Sequence, residues 1–129
     1  MMNKTFNTSL DPFYIQYRVI DESSNNSLEF FFSHTTHSFK RSSQRGIDSE
    51  KIIVAIEFGE VFYKQGLQWH VLGAKGIPPY LEHKKNQLMN TVVIVSGNSN
   101  QIITCYRSKN PFKNIKTKSK ILQKYPIYE

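Results

Sequence analysis

A single cysteine, Cys105, in 129 residues excludes an internal disulfide and makes the reducing cytoplasm the default compartment. Long apolar runs are missing too. The longest unbroken aliphatic stretch, 52-IIVAI-56, is far too short to cross a bilayer, and MMNKTFNTSL at the N-terminus has no apolar core of a signal peptide. Neither a membrane span nor a leader is therefore expected. Acid is nearly absent from the last third: residues 83–129 carry nine Lys/Arg against Glu129 alone, while residues 1–82 carry eight against nine Asp/Glu. The net charge of +7 is thus concentrated at one end, and such a field recruits polyanions. Nucleic acid is the first class of partner this admits, an anionic membrane surface the second, and a merely solubilising basic tail the alternative. Metal chemistry finds no support. His34 and His37 have a ligand-like spacing but no Cys/His/Asp cluster beside them, and 73-GAKG-76 lacks the length and trailing Ser/Thr of a phosphate loop. No metal or cofactor is expected.

What the chain does hold is aromatic and aliphatic residues enough for one modest core: 39% hydrophobic, with Phe 9, Tyr 7 and Trp 1. Residues 1–9 read as a polar, loosely ordered lead-in. The β-branched and aromatic stretches 13-FYIQYRVI-20 and 28-LEFFFS-33 read as strands around a polar loop. A helix from about 34 to 45, capped by Ser33 or Thr35, closes on Gly46. The clearest local code follows. Asp48 caps 49-SEKIIVAIEF-58, Ile47 and Ile52 have the spacing of a hydrophobic staple, Ile52, Ile53 and Ile56 form a buried stripe, and Gly59 ends the helix in left-handed geometry. Then 60-EVFYKQG-66 and 67-LQWHVLG-73 form two strands turning at Gln65-Gly66. After a Pro-led segment holding a short helix, 91-TVVIVSG-97 and 101-QIITCYR-107 make a hairpin. This order predicts an α+β fold, with two helices packed on a small antiparallel sheet. Residues 1–33 are expected as an extension able to add a strand, 34–124 as a single domain with a basic end, and 125–129 as a tail.

In 36-THSFKRSSQRG-46 only Phe39 is clearly apolar, so a helix here has little to bury. It is either a solvated surface helix or one whose basic stripe faces an anion. His37, Arg41 and Arg45 step one turn apart and form a single drifting ridge. Arginine forks match phosphate bidentately and histidine titrates near neutrality, so the set suits holding a phosphodiester while moving a proton. In the last strand, alternation places Thr104 and Tyr106 on one face, Cys105 and Arg107 on the other. A bulge or twist near the strand end would bring Tyr106 and Arg107 to one cleft. Cys105, after apolar and β-branched neighbours, reads as buried rather than nucleophilic. Glu57 and Glu60 read as solvated carboxylates at a helix end, and Trp69 and His70 as a half-buried strand.

The stretch 37-HSFKRSSQRGI-47, the capped helix after it, the hairpin 91-TVVIVSGNSNQIITCYRSKN-110 and the trailing lysines together resemble the bacterial domain-of-unknown-function family 4258. That family reads His-Ala-x-x-Arg-x-x-x-Arg-Gly-Ile and closes on Val-Ile-Thr-x-Tyr-Arg. The resemblance covers roughly residues 35–120 and places the family's residues on His37, Arg41, Arg45, Gly46, Ile47, Thr104, Tyr106 and Arg107. Ser38 replaces the small alanine, and residues 1–33 have no counterpart. The family is distantly RelE/ParE toxin-like, of the barnase–EndoU–colicin–RelE type. The resemblance therefore implies helices on an antiparallel sheet with a cleft for RNA, and a metal-independent endoribonuclease acting through the RNA 2′-OH. His37 would be general base or acid. Arg41, Arg45 and Arg107 would stabilise the phosphorane, Tyr106 would stack on or protonate the leaving side, and Thr104 would orient the phosphate. Lys40, Lys109, Lys113, Lys116, Lys118 and Lys120 would hold the backbone of an RNA, free or ribosome-associated. The rival readings are a non-catalytic nucleic-acid-binding module and a protein-interaction partner, such as the target of an acidic antitoxin-like protein.

Overall fold

A computed structural model describes the backbone of residues 2–6 and the whole of residues 11, 13–21 and 23–112. Three strands come first: β1 (Met2–Phe6), β2 (Tyr14–Asp21) and β3 (Asn26–His34). Two helices follow, α1 (Thr36–Gln44) and α2 (Ser49–Phe58), and then β4 (Glu60–Lys64) and β5 (Leu67–Leu72). Two 3₁₀ turns and the short α3 (Lys85–Leu88) lead to β6 (Thr91–Ser96) and β7 (Gln101–Arg107). Among the described residues all seven strands join one sheet in the order β1-β2-β3-β7-β6-β5-β4. The α+β class is as the sequence indicates, but the sheet is mixed rather than purely antiparallel. β3 and β7 run parallel through Ser33–Gln101 and His34–Ile102, and every other neighbouring pair is antiparallel. A short parallel seam of this kind has no local sequence signal, because its two partners lie far apart along the chain.

The N-terminal segment is no appendage. Ile15, Tyr17, Val19 and Phe32 belong to the same core cluster as the residues of α2, with exposures of 6% or less. β1, in the stretch expected as a loosely ordered lead-in, instead extends the sheet by pairing with β2 from Met2–Asp21 to Phe6–Tyr17. The free backbone edge of β2 accounts for this: an edge pairs through N–H and C=O groups whatever the side chains.

α2 forms where its cap dictates. Asp48 accepts from the Lys51 N–H at 3.0 Å, and Ile47 and Ile52 are both buried, as the staple spacing predicts. Its apolar face is wider than the expected stripe of three, since every residue from Ile52 to Ile56 is buried. One flat sheet cannot cover such a helix. The sheet curls instead, so that α2 touches β5, β6 and also β2, three strands farther round. The Tyr17 hydroxyl closes this wrap by donating to the Glu57 carboxylate at 2.6 Å. Gly59 follows α2 for a different reason from the left-handed cap expected. Its φ is −74°, but an added Cβ would sit 2.4 Å from the Ala55 carbonyl oxygen and 3.0 Å from the Val71 backbone. The helix exit and β5 are simply too close for a side chain. The turn at Gln65-Gly66 has positive φ at both positions (56° and 76°), the pattern of a two-residue hairpin.

Burial and the Glu57 bond together hold the Tyr17 phenol far above its usual pKa. Replacing Tyr17 by Phe keeps the ring packing and removes only the bond to a charged acceptor. Urea unfolding should show a loss of about 1.5–3 kcal/mol with an unchanged m value. A loss below about 0.5 kcal/mol would mean the bond does not hold the wrap together.

Candidate functional site

α1 resolves how a polar helix is kept in a fold. Its inner face is made of serines: Ser38 and Ser42 are 0% and 4% exposed, and the small side chains let the helix lie close against β7. Their hydroxyls are satisfied locally, Ser38 donating to the Thr35 carbonyl and Ser42 to the Phe39 carbonyl. Thr35 caps the helix through the Ser38 N–H, and Gly46 at φ 67° ends it. Phe39 stacks on Phe13 with ring centroids 4.4 Å apart and meets the edge of His34. The buried His34 lies 2.8 Å from the Ser38 hydroxyl through Nδ1, and burial holds its imidazole below the usual histidine range. A neutral ring carrying its proton on Nδ1 completes this chain of bonds.

With its inner face spent on packing, α1 turns His37, Lys40, Arg41 and Arg45 to solvent. The helix runs beside β7 in the same direction. The Thr35 N–H bonds to the Ile102 carbonyl at one end, and Arg45 Nη1 donates to the Cys105 carbonyl at 2.8 Å at the other. The ridge therefore leads toward Arg107, two residues farther along β7 and on the same side of the strand as Cys105. Arg107 is exposed, yet its Nη2 donates to the Asn86 and Met89 carbonyls at 2.8 and 3.0 Å. It thereby ties the end of α3 to the sheet. No acidic residue occurs between positions 30 and 47 or in 83–112. Among the described residues, ion pairs join Arg18 to Glu29, Lys84 to Glu50 and Lys85 to Glu82, and none involves these cations.

The six residues that the resemblance groups as catalytic do not share one surface. In β7, Tyr106 pairs with Val92 and Thr104 with Ile94, which point away from the helices into a second apolar cluster with Phe62, Trp69, Ile103 and Phe112. Both side chains are half-buried there, and burial raises the Tyr106 phenol. A bulge does occur, but it falls at Ile103, upstream of both Tyr106 and Arg107, so the two remain on opposite faces. His37, Arg41, Arg45 and Arg107 lie on the helix side. Cys105 is fully buried, and burial pushes its thiol up to about 11, with Arg45 pulling weakly the other way. Lys109 is exposed beside a hollow of about 550 Å³ next to Asn90 and Phe112. Lys113, Lys116, Lys118 and Lys120 lie outside the described residues. Among the described residues no three His, Cys, Asp or Glu side chains are grouped to hold a metal ion, and no helix is long and apolar enough to cross a membrane.

One constellation escaped sequence reasoning. Glu57 is not an ordinary solvated carboxylate, since it binds the core tyrosine Tyr17 and also bears on His70. His70 is 5% exposed on β5, and neither ring nitrogen makes a hydrogen bond of ordinary geometry. Desolvation lowers its pKa, offset in part by the nearby Ile56 carbonyl and Glu57 carboxylate. Strand alternation would place residue 70 beneath a helix, but nothing local marks residues 17, 57 and 70 as neighbours.

The chain is thus an α+β domain with two helices on the concave side of a curled, largely antiparallel sheet, and an acid-free cationic ridge along the first helix. No family model, curated protein or solved structure gives a match to this chain.

His34 and His70 are both held neutral by burial, so the folded chain binds fewer protons than the unfolded one below the ordinary histidine pKa. Stability is therefore full above that pKa and falls as pH drops through it toward the lowered folded values. Melting temperature should decline from pH 7 to pH 5, and His70→Leu should flatten the decline. An equal decline in both proteins would remove His70 from this account.

Proposed function

We propose that this protein binds RNA through its phosphodiester backbone, along the α1 ridge of His37, Lys40, Arg41 and Arg45 continued by Arg107. The observation that carries this reading is the exposure of these cations together with the lack, among the described residues, of an ion pair to any of them. Phosphate is the ligand their geometry fits: arginines one helical turn apart repel each other until an anion lies between them. Arg45 and Arg107 each spend donors on backbone carbonyls, which fixes their guanidinium planes and lowers the entropy lost on gripping a phosphate. Lys109 extends the track. A RelE/ParE-like toxin fold fits the helix pair on one side of a largely antiparallel sheet. An acidic antitoxin-like protein would be drawn to the same ridge, and the single buried thiol suits a cytoplasmic setting.

Cleavage through the 2′-OH asks for two proton-transfer groups on one phosphate. His37 offers one such group, but Tyr106 faces the other side of the sheet. Binding is accordingly the reading preferred over an endoribonuclease.

Anisotropy titration of a labelled single-stranded RNA over a salt series should give a log–log slope of about −2 to −3, matching three or four phosphate contacts. Arg41→Glu should weaken binding at least about tenfold and flatten the slope by about one, whereas His37→Ala should cost under about threefold. Total RNA incubated in EDTA should stay intact with both the native protein and His37→Ala. Salt-independent or absent binding would overturn the proposal. Cleavage by the native protein that His37→Ala abolishes would replace it with the endoribonuclease.

A further inference from the structure

A hollow of about 430 Å³ lies between α1 and the start of α2. Phe39 and Ser43, one turn apart on α1, form one part of its wall, and Ile47, Asp48 and Ser49 another. His34, at the end of β3, completes it. The size is that of a small-molecule site.

His34 is the decisive group. It is 7% exposed, and its Nδ1 lies 2.8 Å from the Ser38 hydroxyl, whose own hydrogen goes to the Thr35 carbonyl. The neutral ring therefore donates from Nδ1, which leaves a lone pair on Nε2. Among the described residues no group donates to that lone pair, and unlike the nitrogens of His70 it is not sealed from solvent. A buried histidine locked in one tautomer, with its second nitrogen open, is an acceptor held ready for a ligand's N–H. The rest of the wall narrows what that ligand is. Phe39, its ring 4.4 Å from that of Phe13, and the buried Ile47 offer apolar surface to a flat ring. The Ser43 and Ser49 hydroxyls supply donors to complement the His34 acceptor. The Asp48 carboxylate, already engaged by the Lys51 N–H, disfavours an anionic group inside the hollow.

We infer that this hollow binds an adenine base, its exocyclic amino group donating to His34 Nε2 and a ring nitrogen accepting from a serine hydroxyl. Adenine carries a donor and an acceptor side by side on one edge. Hypoxanthine, guanine and uracil put a carbonyl lone pair where the amino group would be, facing the His34 lone pair. Cytosine has the adenine pattern but a single ring, with less surface for Phe39 and Ile47. Lys40 lies three positions before Ser43, so a base of RNA held on the ridge is one source of adenine, and a free nucleoside or nucleotide is the other. Recognition of adenine does not itself rest on the ridge.

Adenosine tests the site without phosphate. Titrated into the full chain, it should saturate in the millimolar range and selectively shift the His34 ring resonances in proton–nitrogen spectra. Inosine, which replaces the amino group by a carbonyl, should bind at least about fivefold more weakly, the worth of one hydrogen bond. Ser43→Trp, at an exposed helix position, fills the hollow and should abolish adenosine binding in a chain whose backbone spectrum stays folded. Oligomers then separate the two sources. An adenine oligoribonucleotide bound at least about threefold tighter than a uracil one of equal length, with the gap lost in Ser43→Trp, identifies a base of bound RNA. Equal affinities beside adenosine binding identify the free nucleoside or nucleotide. No His34 shift with adenosine, inosine bound as tightly, or adenosine binding unchanged in folded Ser43→Trp would each overturn the inference. None of those results bears on phosphate binding by the ridge, and absence of RNA binding leaves the adenosine result standing.

Discussion

A helix that buries five consecutive residues needs protein on more than one side, and this demand from Ile52–Ile56 shapes the molecule. A two-layer packing covers a stripe and leaves the outer face of a helix to water. Here β5 and β6 cover one flank of α2, and the sheet bends until β2 reaches another. The N-terminal meander is therefore required by the central helix, and Tyr17 delivers its hydroxyl to Glu57 at the point where the bend closes. The close approach of Gly59 to Ala55 and Val71 belongs to the same geometry, because the helix exit is pressed onto the strand it must follow.

α1 is held differently, and that difference makes the basic ridge affordable. Serines whose hydroxyls bond back to the helix carry no large apolar area, but they allow β7 to approach closely, with Phe39 anchored between Phe13 and His34. The outer face is then free of packing duty. β7 partitions what the sequence groups together: one alternate set, Thr104 and Tyr106, enters the second apolar cluster, while Cys105 and Arg107 turn toward the helices. Arg45 and Arg107 serve both the fold and the surface, fastening α1 and α3 to neighbouring backbone while their charge stays exposed.

What the sequence disclosed was local. The Asp48 cap, the Ile47–Ile52 staple, the Gln65-Gly66 turn and the β6–β7 hairpin each rest on residues a few positions apart, and each stands in the structure. What it withheld was long-range. Ser33 with Gln101 and Tyr17 with Glu57 are 68 and 40 positions apart, and Gly59 discloses its reason only against Val71. The candidate site divides the same way. The ridge was readable because helical spacing alone aligns His37, Arg41 and Arg45. The separation of Tyr106 from Arg107 depended on the bulge falling at Ile103 and not between them, and composition carries no trace of that choice.

The position of β7 has a bearing on how the chain is made. β7 is the last strand described but stands fourth of seven in the sheet, with β3 on one side and β6 on the other. On a ribosome the meander of β2 and β3 emerges well before residue 101, and its inner edge must wait, unpaired, for the strand that joins the halves. Through that interval the apolar sides of Ile15, Val19 and Phe32 have α2, the first helix of their core cluster to be made, to shelter them. Early docking of that helix on the meander would guard a nascent edge against wrong partners until synthesis delivers the right one.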